Sequence, residues 1–279
     1  MTEQELTDLV LKKIAGAPDA RFREVMLSLV KHLHGFIREA GSTQEEWRAG
    51  IACLTATGQK CDDKRQEFIL LSDVLGLSML TVVMNNDKPA GCTESTVFGP
   101  FYVEGAPYVE NGGDVANGAA GEPCLVSGTV RGLAGETVAG ATLEVWQADA
   151  EGHYDVQRPG LDRHQGRAVL DTQADGSFRF RTVVAEAYPI PVDGPVGDLL
   201  RATCRHPWRP AHLHFMITAP GYETLVTHVF RNGDPYLDSD AVFGVRRTLV
   251  GDWKAQADGG HALHYDFVLN PLGRPGPAG

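Results

Sequence analysis

The residues with the clearest chemical potential lie in one stretch, Arg209–Ile217, in which apolar and polar side chains alternate. This alternation predicts a β-strand. Because alternate residues of a strand face the same side, His212 and His214 should point together, with Arg209 at the start of the strand. Two imidazoles on one face of a rigid strand form half of a metal site, although such a pair can also occur without binding anything.

Three familiar patterns could complete this half-site. A cupin needs a glutamate four or five residues after the second histidine, but Thr218 and Ala219 occupy those positions. An amidohydrolase carries its His-x-His on the first strand of a barrel, whereas this pair comes late in the chain. A ferrous facial triad needs a carboxylate beside a histidine. None of these patterns fits the sequence.

Tyrosine is the remaining candidate ligand. Tyr154 follows a predicted strand and turn, and Tyr188 lies in a proline-rich segment that we expect to be a loop. A phenolate is a hard anionic ligand whose free pKa is about 10, so only a strongly Lewis-acidic ion holds it deprotonated at neutral pH. Ferric iron qualifies, whereas zinc prefers cysteine or carboxylate ligands. Either tyrosine could equally be an ordinary core or surface aromatic residue.

Composition narrows the class of protein. The chain has 279 residues and a net charge of −11, which argues against nucleic acid or an anionic membrane as a partner. No apolar run approaches the roughly 20 residues of a membrane span, so we expect no membrane insertion. The five cysteines, an odd number without a Cys-x-x-Cys motif, favour a reducing compartment. The acidic, polar N-terminal residues do not resemble a secretory signal, and we expect a cytoplasmic protein.

Residues 1 to about 85 show apolar residues at helical spacing and predict four amphipathic helices. Gly41 should end the second helix, and the capping-box spacing of Thr43 and Glu46 should open the third. The fourth helix should run from Asp62 to about Val83. A linker at 85–91 and an apolar, aromatic segment at 93–102 follow.

From about Pro123 the apolar residues alternate with period two, and turn residues separate many short segments. This pattern predicts an antiparallel sandwich. Ala174-Asp175-Gly176 should form a hairpin turn between its flanking strands. The fold class is therefore α+β, with a helical N-terminal domain at 1–100 and a β-sandwich catalytic domain at 101–279, whose tail from Pro271 looks disordered. The predicted strands are 124–130, 141–147, 167–172, 177–182, 211–218, 224–230, 245–250 and 263–269.

Taken together, the motifs resemble those of the intradiol ring-cleavage dioxygenases, over essentially the whole chain. They are specific because two tyrosines and a His-x-His occur in the family's order, with an arginine three residues before the first histidine. The motifs are Gly152-His-Tyr154, Tyr188-Pro, Gly194-Pro195 and Arg209-Pro-Ala-His212-Leu-His214-Phe. Within the family the chain is most similar to members that act on hydroxyquinol (benzene-1,2,4-triol). The segments that carry this similarity are 93–101, 193–197 and 234–244.

The resemblance implies a non-haem ferric iron, Fe(III), held by Tyr154, Tyr188, His212 and His214. It also implies that Tyr188 leaves the metal and takes up a substrate proton, while Arg209 stabilises negative charge on the activated ring. Oxygen would then open hydroxyquinol between its adjacent hydroxylated carbons, giving 3-hydroxy-cis,cis-muconate, which is maleylacetate. The alternatives are a catechol or chlorocatechol 1,2-dioxygenase and a non-catalytic, transthyretin-like binding module.

By the same resemblance, a set of side chains from both domains should surround the substrate ring. Asp73 would accept a hydrogen bond from the third hydroxyl, unless it lies on a solvated helix face. His228 stands where related catechol enzymes usually have glutamine, close to the metal ligands. A two-residue Pro220-Gly221 hairpin would turn it to the opposite face, and a loop one residue longer or shorter would place it beside them. The expected ring-contacting residues are Leu70, Asp73, Val97, Phe98, Gly99, Pro100, Phe101, Ile190, Pro191 and Val242.

The resemblance finally implies a homodimer joined through the N-terminal helices, with a phospholipid in an apolar channel between the subunits. The apolar stripes of the helices permit this arrangement. The other expected partners are the aromatic diol or triol substrate and O₂.

Overall fold

The computed structural model of the protein describes residues 1–62, 65–257 and 259–273. The chain forms two compact units, Met1–Ala56 and Thr57–Gly279. The second unit thus includes the region of the fourth predicted helix, which lies within the predicted N-terminal domain at 1–100. Of the tail predicted to be disordered, Pro271 forms a β-bridge with Tyr222, and residues 274–279 lie outside the described part of the chain.

The second helix ends, and the third begins, where the sequence predicts. Asp19 caps the second helix, which ends at Gly41 in the left-handed conformation (φ 59°). The Thr43 backbone N–H donates to Glu46 Oε2 at 2.7 Å and the Glu46 N–H donates to Thr43 Oγ1 at 3.2 Å, which confirms the predicted capping box. The bounds are α1 Glu3–Ile14, α2 Ala20–Ala40 and α3 Gln44–Gln59.

The prediction of one helix from Asp62 to about Val83 is wrong. Two helices occur there, α4 Glu67–Val74 and α5 Leu77–Asn85, bent by 75° to one another. Gly76 lies between them with φ 75°, a conformation that breaks a helix and that glycine adopts without strain. Among the described residues no single helix is long and apolar enough to span a membrane, and only this bent pair reaches that length and composition.

Two five-stranded sheets follow, with a two-stranded ribbon and one more helix. The strands in chain order are β1 Pro123–Gly132, β2 Thr142–Gln147, β3 Arg167–Asp171, β4 Ser177–Val183, β5 Tyr188–Pro189, β6 Trp208–Arg209, β7 His212–Thr218, β8 Leu225–Arg231, β9 Val250–Gly251, β10 Trp253–Ala255, β11 His261–His264 and β12 Phe267–Leu269. Helix α6 is Pro195–Ala202, and 3-10 turns occur at Asp155–Gln157 and Arg247–Leu249.

The sheets pack face to face, as predicted for a sandwich. One has the order β10-β11-β1-β12 with β4 also paired to β1, and the other has the order β3-β2-β7-β8-β9. Phe215 of the second sheet contacts Phe178 and Phe267 of the first, with ring centroids 6.2 and 4.7 Å apart. The sheets are mostly antiparallel, but β1 pairs in parallel with β11 and β12, and β8 with β9.

Three local predictions fail in this region. The turn at 174–176 has the predicted glycine at positive φ, but β3 and β4 belong to different sheets, so the turn crosses the sandwich and closes no hairpin. Half of the strand predicted at 245–250 is a 3-10 turn, and the strand predicted at 263–269 is split into β11 and β12. These short segments lack enough alternating residues to define their pairing.

Candidate metal centre and active site

Strand β7 presents its two histidines to one side and its apolar residues to the other. Leu213, Phe215 and Ile217 are fully buried in the sandwich core, which fixes the strand. The His212 Nδ1 faces the Pro210 carbonyl at 2.7 Å and donates to it, so the Nε2 of the neutral ring carries a lone pair and is an acceptor. The His212 and His214 Nε2 atoms lie 3.1 Å apart. The pair therefore aims two nitrogens at one buried point.

Tyr154 reaches the same point from the turn after β2. Its side chain is fully buried, and its Oη lies 2.8 Å from His214 Nε2. The next residue, Asp155, accepts from Arg167 Nε at 2.7 Å in a buried ion pair, and Arg167 also donates to the Phe101 carbonyl at 3.1 Å. This pair anchors the turn that carries the tyrosine.

Tyr188 lies in a short strand rather than the predicted loop. Strand β5 pairs with β6 so that Tyr188 stands directly opposite Arg209. Its Oη is 3.4 Å from Arg209 Nη1, which is also 3.2 Å from His212 Nε2. Tyr154 and Tyr188 lie edge to face, with ring centroids 5.4 Å apart. The pairing thus brings the second tyrosine, the arginine and the histidines together.

His228 lies beside the metal-ligand candidates, which resolves the alternative left open by the sequence. Pairing of β7 with β8 places it directly opposite His214, because the connecting loop is longer than the two-residue hairpin. Its ring lies 4.6 Å from that of His212, nearly parallel, and 4.0 Å from that of His214. The three imidazoles form a buried cluster with potential metal-binding atoms within 4.8 Å of one another.

Burial sets the charges of these groups. It lowers the pKa of His212 and His214 well below the usual value, and Arg209 lowers both further, so both rings are neutral at pH 7. Burial raises the pKa of Tyr154 well above its usual value, and Tyr188 raises it further. An ionised phenolate at Tyr154 therefore requires a cation at this point.

The donor set fits a metal ion better than it fits internal hydrogen bonding. His214 Nε2 lies 2.8 Å from the Tyr154 phenol oxygen and 3.1 Å from His212 Nε2, and His214 Nδ1 has no hydrogen-bond partner among the described residues. Buried polar atoms are normally paired, so such a cluster calls for a ligand that accepts several lone pairs. Two neutral imidazoles and two phenols match an ion that prefers hard oxygen and nitrogen donors.

Several of the expected ring-contacting residues pack in the same cluster as the two tyrosines. Leu70, Val97, Ile190 and Val242 are buried in one cluster with Tyr154 and Tyr188, and Phe101 packs against it. A Cβ on Gly99 would lie 3.2 Å from the His214 ring, so the chain passes very close there. The ring of Phe98 instead packs against Tyr102 and Trp146.

A cavity of about 200 Å³ lies next to Phe101, and none of the four candidate metal ligands is among its lining residues. Phe101, one of its walls, stacks on Tyr154 with ring centroids 4.5 Å apart. Asp73 lies one helical turn after Leu70 on α4 and is 3% exposed, so it is not on a solvated face. Burial raises its pKa, whereas Ser78 and Arg209 lower it. The cavity is lined by Leu70, Pro100, Phe101 and Pro191 of the predicted set, together with Asp62, Arg65, Gln66, Glu67, Val156 and Gln157.

Two residues at the site were not identified from the sequence. Asp240 forms a buried ion pair with Arg209, and Trp146 stacks on His214 with ring centroids 4.6 Å apart. A buried arginine almost always has a counter-charge, so the prediction for Arg209 already implied a carboxylate. Only the fold identifies which one, because the two residues are far apart in the chain.

Comparison with known proteins agrees with this geometry. A family model described as dioxygenase matches residues 97–271, and one described as catechol dioxygenase N terminus matches residues 19–93. A 6-chlorohydroxyquinol 1,2-dioxygenase of Cupriavidus pinatubonensis is 68% identical, over 96% of this chain and 98% of the relative.

Solved structures are also similar. A crystal structure of hydroxyquinol 1,2-dioxygenase from Pseudomonas putida DLL-E4 is 46% identical with a TM-score of 0.90, over 96% of this chain and 98% of that one. A catechol 1,2-dioxygenase of Acinetobacter radioresistens is 25% identical with a TM-score of 0.88, over 100% of this chain and 96% of that one. The predicted resemblance is therefore confirmed, and the chain belongs to the intradiol ring-cleavage dioxygenase family.

Proposed function

We propose that this protein uses ferric iron and O₂ to cleave hydroxyquinol between its two adjacent hydroxylated carbons, forming 3-hydroxy-cis,cis-muconate (maleylacetate). The observation that carries the proposal is the convergence of Tyr154, Tyr188, His212 and His214 at one buried point. A nearby cavity shares Phe101 with this point, because Phe101 lines the cavity and stacks on Tyr154. The names of the hydroxyquinol-cleaving relatives, at 68% and 46% identity, support the substrate.

Four side chains would hold the iron. The Nε2 atoms of His212 and His214 would contribute neutral donors, and the phenol oxygens of Tyr154 and Tyr188 would contribute anionic ones. Two phenolates offset most of a 3+ charge, which favours ferric over ferrous iron or zinc at this point. When bound, the iron would supply Lewis acidity that activates a chelated aromatic diol toward O₂.

The chain's own residues would bind, orient and exchange protons. Tyr188 Oη is the candidate proton acceptor for a substrate hydroxyl, because it lies at the Arg209 edge of the cluster. Arg209 would stabilise negative charge on the ring with a buried, preorganised N–H group. Leu70 and Phe101 would exclude water and hold the ring plane.

Asp73 is the candidate for recognition of the third hydroxyl. Its carboxylate is buried, and Arg209 and Asp240 are close enough to act on its charge. A buried acceptor favours a ligand that brings it a hydrogen-bond donor, and hydroxyquinol has one hydroxyl more than catechol. Catechol cleavage remains the competing activity, and the 68% identical relative makes 6-chlorohydroxyquinol a further substrate to test.

We also propose a cytoplasmic homodimer, joined through the N-terminal helices and binding a phospholipid there. The first unit exposes many large apolar side chains, which supports an apolar contact surface. The five cysteines form no disulfide among the described residues, which is compatible with a reducing compartment.

The decisive experiment measures O₂ uptake and product spectra with hydroxyquinol, 6-chlorohydroxyquinol, catechol and protocatechuate on iron-loaded protein. We expect wine-red protein, because ferric phenolate absorbs visible light, and the highest kcat/KM for a hydroxyquinol. Colourless protein that stays inactive after iron loading would contradict the proposal.

Variants of the candidate iron ligands distinguish a loss of iron binding from a general destabilisation of the fold. Tyr154→Phe and His214→Ala should each lose most of the bound iron, because each removes one of four ligands. Tyr108→Phe and His264→Ala are matched controls, since these side chains are 61% and 66% exposed. Metal analysis of the four variants should show full iron in the controls alone.

A further inference from the structure

A buried carboxylate, that of Asp240, forms an ion pair with Arg209 of the candidate site. Arg209 Nε donates to Asp240 Oδ1 at 3.0 Å, and Nη2 donates to Oδ2 at 3.3 Å, which forms a two-pronged pair. The two side chains are 3% and 2% exposed. The pair leaves Nη1 as the guanidinium nitrogen that faces Tyr188 Oη at 3.4 Å and His212 Nε2 at 3.2 Å. The direction of Nη1 is therefore set by the carboxylate behind it.

The same carboxylate is itself held by its own loop. Oδ1 accepts from the Val242 backbone N–H at 3.3 Å, and Oδ2 accepts from the Gly244 N–H at 2.9 Å. The Gly244 carbonyl in turn accepts from Thr96 Oγ1 at 2.6 Å. A Cβ at position 244 would lie 3.0 Å from Arg209 Nη2, so glycine allows the loop to close around the pair. Asp240 is thus fixed independently of the arginine.

The ion pair with Asp240 changes how Arg209 can stabilise negative charge at the site. An unpaired guanidinium would be a full positive charge that could turn toward any nearby anion. Paired with Asp240, it forms a unit of no net charge that directs the N–H groups of Nη1 toward the edge of the metal-ligand cluster. The stabilisation that Arg209 gives to negative charge then depends on the direction of its N–H groups rather than on its net charge.

We propose that Asp240 is a positioning residue, which holds Arg209 Nη1 toward Tyr188 Oη and the side of the substrate where negative charge develops. This inference rests on the proposed function, because Arg209 has a reaction to serve only if the chain cleaves an iron-bound diol.

A double-mutant cycle tests whether Asp240 acts through Arg209. The proteins compared are the wild type, Asp240→Asn, Arg209→Gln and the double variant, all loaded with iron. Asp240→Asn should lower kcat for hydroxyquinol by about 10- to 100-fold, less than the roughly 100- to 1,000-fold loss that follows complete removal of a directed charge-stabilising donor, because the donor is misdirected but still present. Iron content should be unchanged. The kcat of the double variant should be no lower than that of Arg209→Gln alone, because position 240 then has no guanidinium to orient.

Two of the variants control for general destabilisation of the fold. The double variant carries no unpaired buried charge, so it remains informative if Asp240→Asn folds poorly. Asp238→Asn is the matched control, since Asp238 is an exposed carboxylate of the same loop, two residues before Asp240. An exposed substitution of this kind should leave kcat within about 2-fold of the wild type.

A spectroscopic readout does not depend on turnover. Because Nη1 lies close to Tyr188 Oη, Asp240→Asn and Arg209→Gln should shift the ferric–phenolate absorption in the same direction, and the double variant should show no added shift. Independent, multiplying losses in kcat, or an unshifted band in both single variants, would overturn the inference. An iron-loaded wild type that is inactive on all four substrates would overturn the proposed function instead, and the absorption cycle would still decide the role of Asp240.

Discussion

At the scale of single residues, the unusual feature near the site is a buried carboxylate on the largely apolar buried face of α4. Leu70 and Asp73 lie on the same buried face of α4, and Asp73 is 3% exposed. Burying a charged group costs free energy unless it gains partners. The structure provides Ser78 and the field of Arg209, and a substrate hydroxyl would provide a further donor.

This leads to a prediction about substrate choice. Asp73→Ala should lower kcat/KM for hydroxyquinol relative to catechol by at least ~10-fold, because the acceptor for the third hydroxyl is lost. Steady-state O₂ uptake with both substrates measures the ratio. Asp238→Asn, a change at an exposed carboxylate, should leave the ratio unchanged. An unchanged ratio in Asp73→Ala would remove Asp73 from substrate recognition.

The position of a site residue can be predicted from the sequence when it depends on nearby residues of the chain. It cannot be predicted when it depends on a loop length or on a distant segment. The shared face of His212 and His214 follows from their spacing of two on one strand. The position of His228 does not, because it depends on the loop at 219–224, whose length sets the register of β8. The partner of Arg209 is 31 residues away, so only the fold identifies it.

At the scale of elements, the site is built where short segments meet. The β5–β6 ribbon has only two residues in each strand, yet it places Tyr188 opposite Arg209. Alternation over two residues carries no pattern, and Pro189 and Pro191 argue against a strand, so the ribbon could not be predicted. The long strands β1, β2, β4, β7 and β8 were predicted because each has enough alternating residues.

An ion cluster joins the segment before α4 to the segment before α6. Asp193 accepts from Arg65 Nη1 at 2.6 Å and from Lys60 Nζ at 3.0 Å. The Arg65 and Lys60 hydrogen bonds lower the pKa of Asp193 to about 2. The unfolded chain has a value near 3.9, so the folded state binds the proton less well. Asp193 therefore stabilises the fold above about pH 4, and this contribution is lost as the pH falls from about 4 to about 2.

The resulting prediction concerns acid unfolding. Asp193→Asn should unfold at a lower temperature than the wild type at pH 7, and the two proteins should converge near pH 2. The side chain is 65% exposed, so solvent screening keeps the difference at pH 7 below about 1 kcal/mol. Calorimetry across this pH range measures it. Asp198→Asn removes an exposed ion pair within α6 and serves as the comparison. A difference that persists unchanged at pH 2 would exclude the ion cluster as its cause.

At the scale of the whole molecule, the first unit exposes many large apolar side chains. Val25, Leu29, Leu33 and Phe36 of α2 are 45%, 46%, 52% and 62% exposed. Their spacing of four, four and three residues places them in one stripe along the helix. A stripe of this kind indicates a surface that another apolar partner covers.

The last prediction tests that partner as a second copy of the chain. Leu29→Asp combined with Phe36→Asp should convert a dimer into a monomer, because each substitution places a charge in an apolar contact. Sedimentation velocity measures the change. Lys31→Glu is the matched control, since Lys31 is an exposed charged residue on the same helix, outside the stripe. Wild-type protein that sediments as a monomer at micromolar concentration would contradict the dimer. Loss of the dimer with retained iron would show that the metal site is complete within one chain.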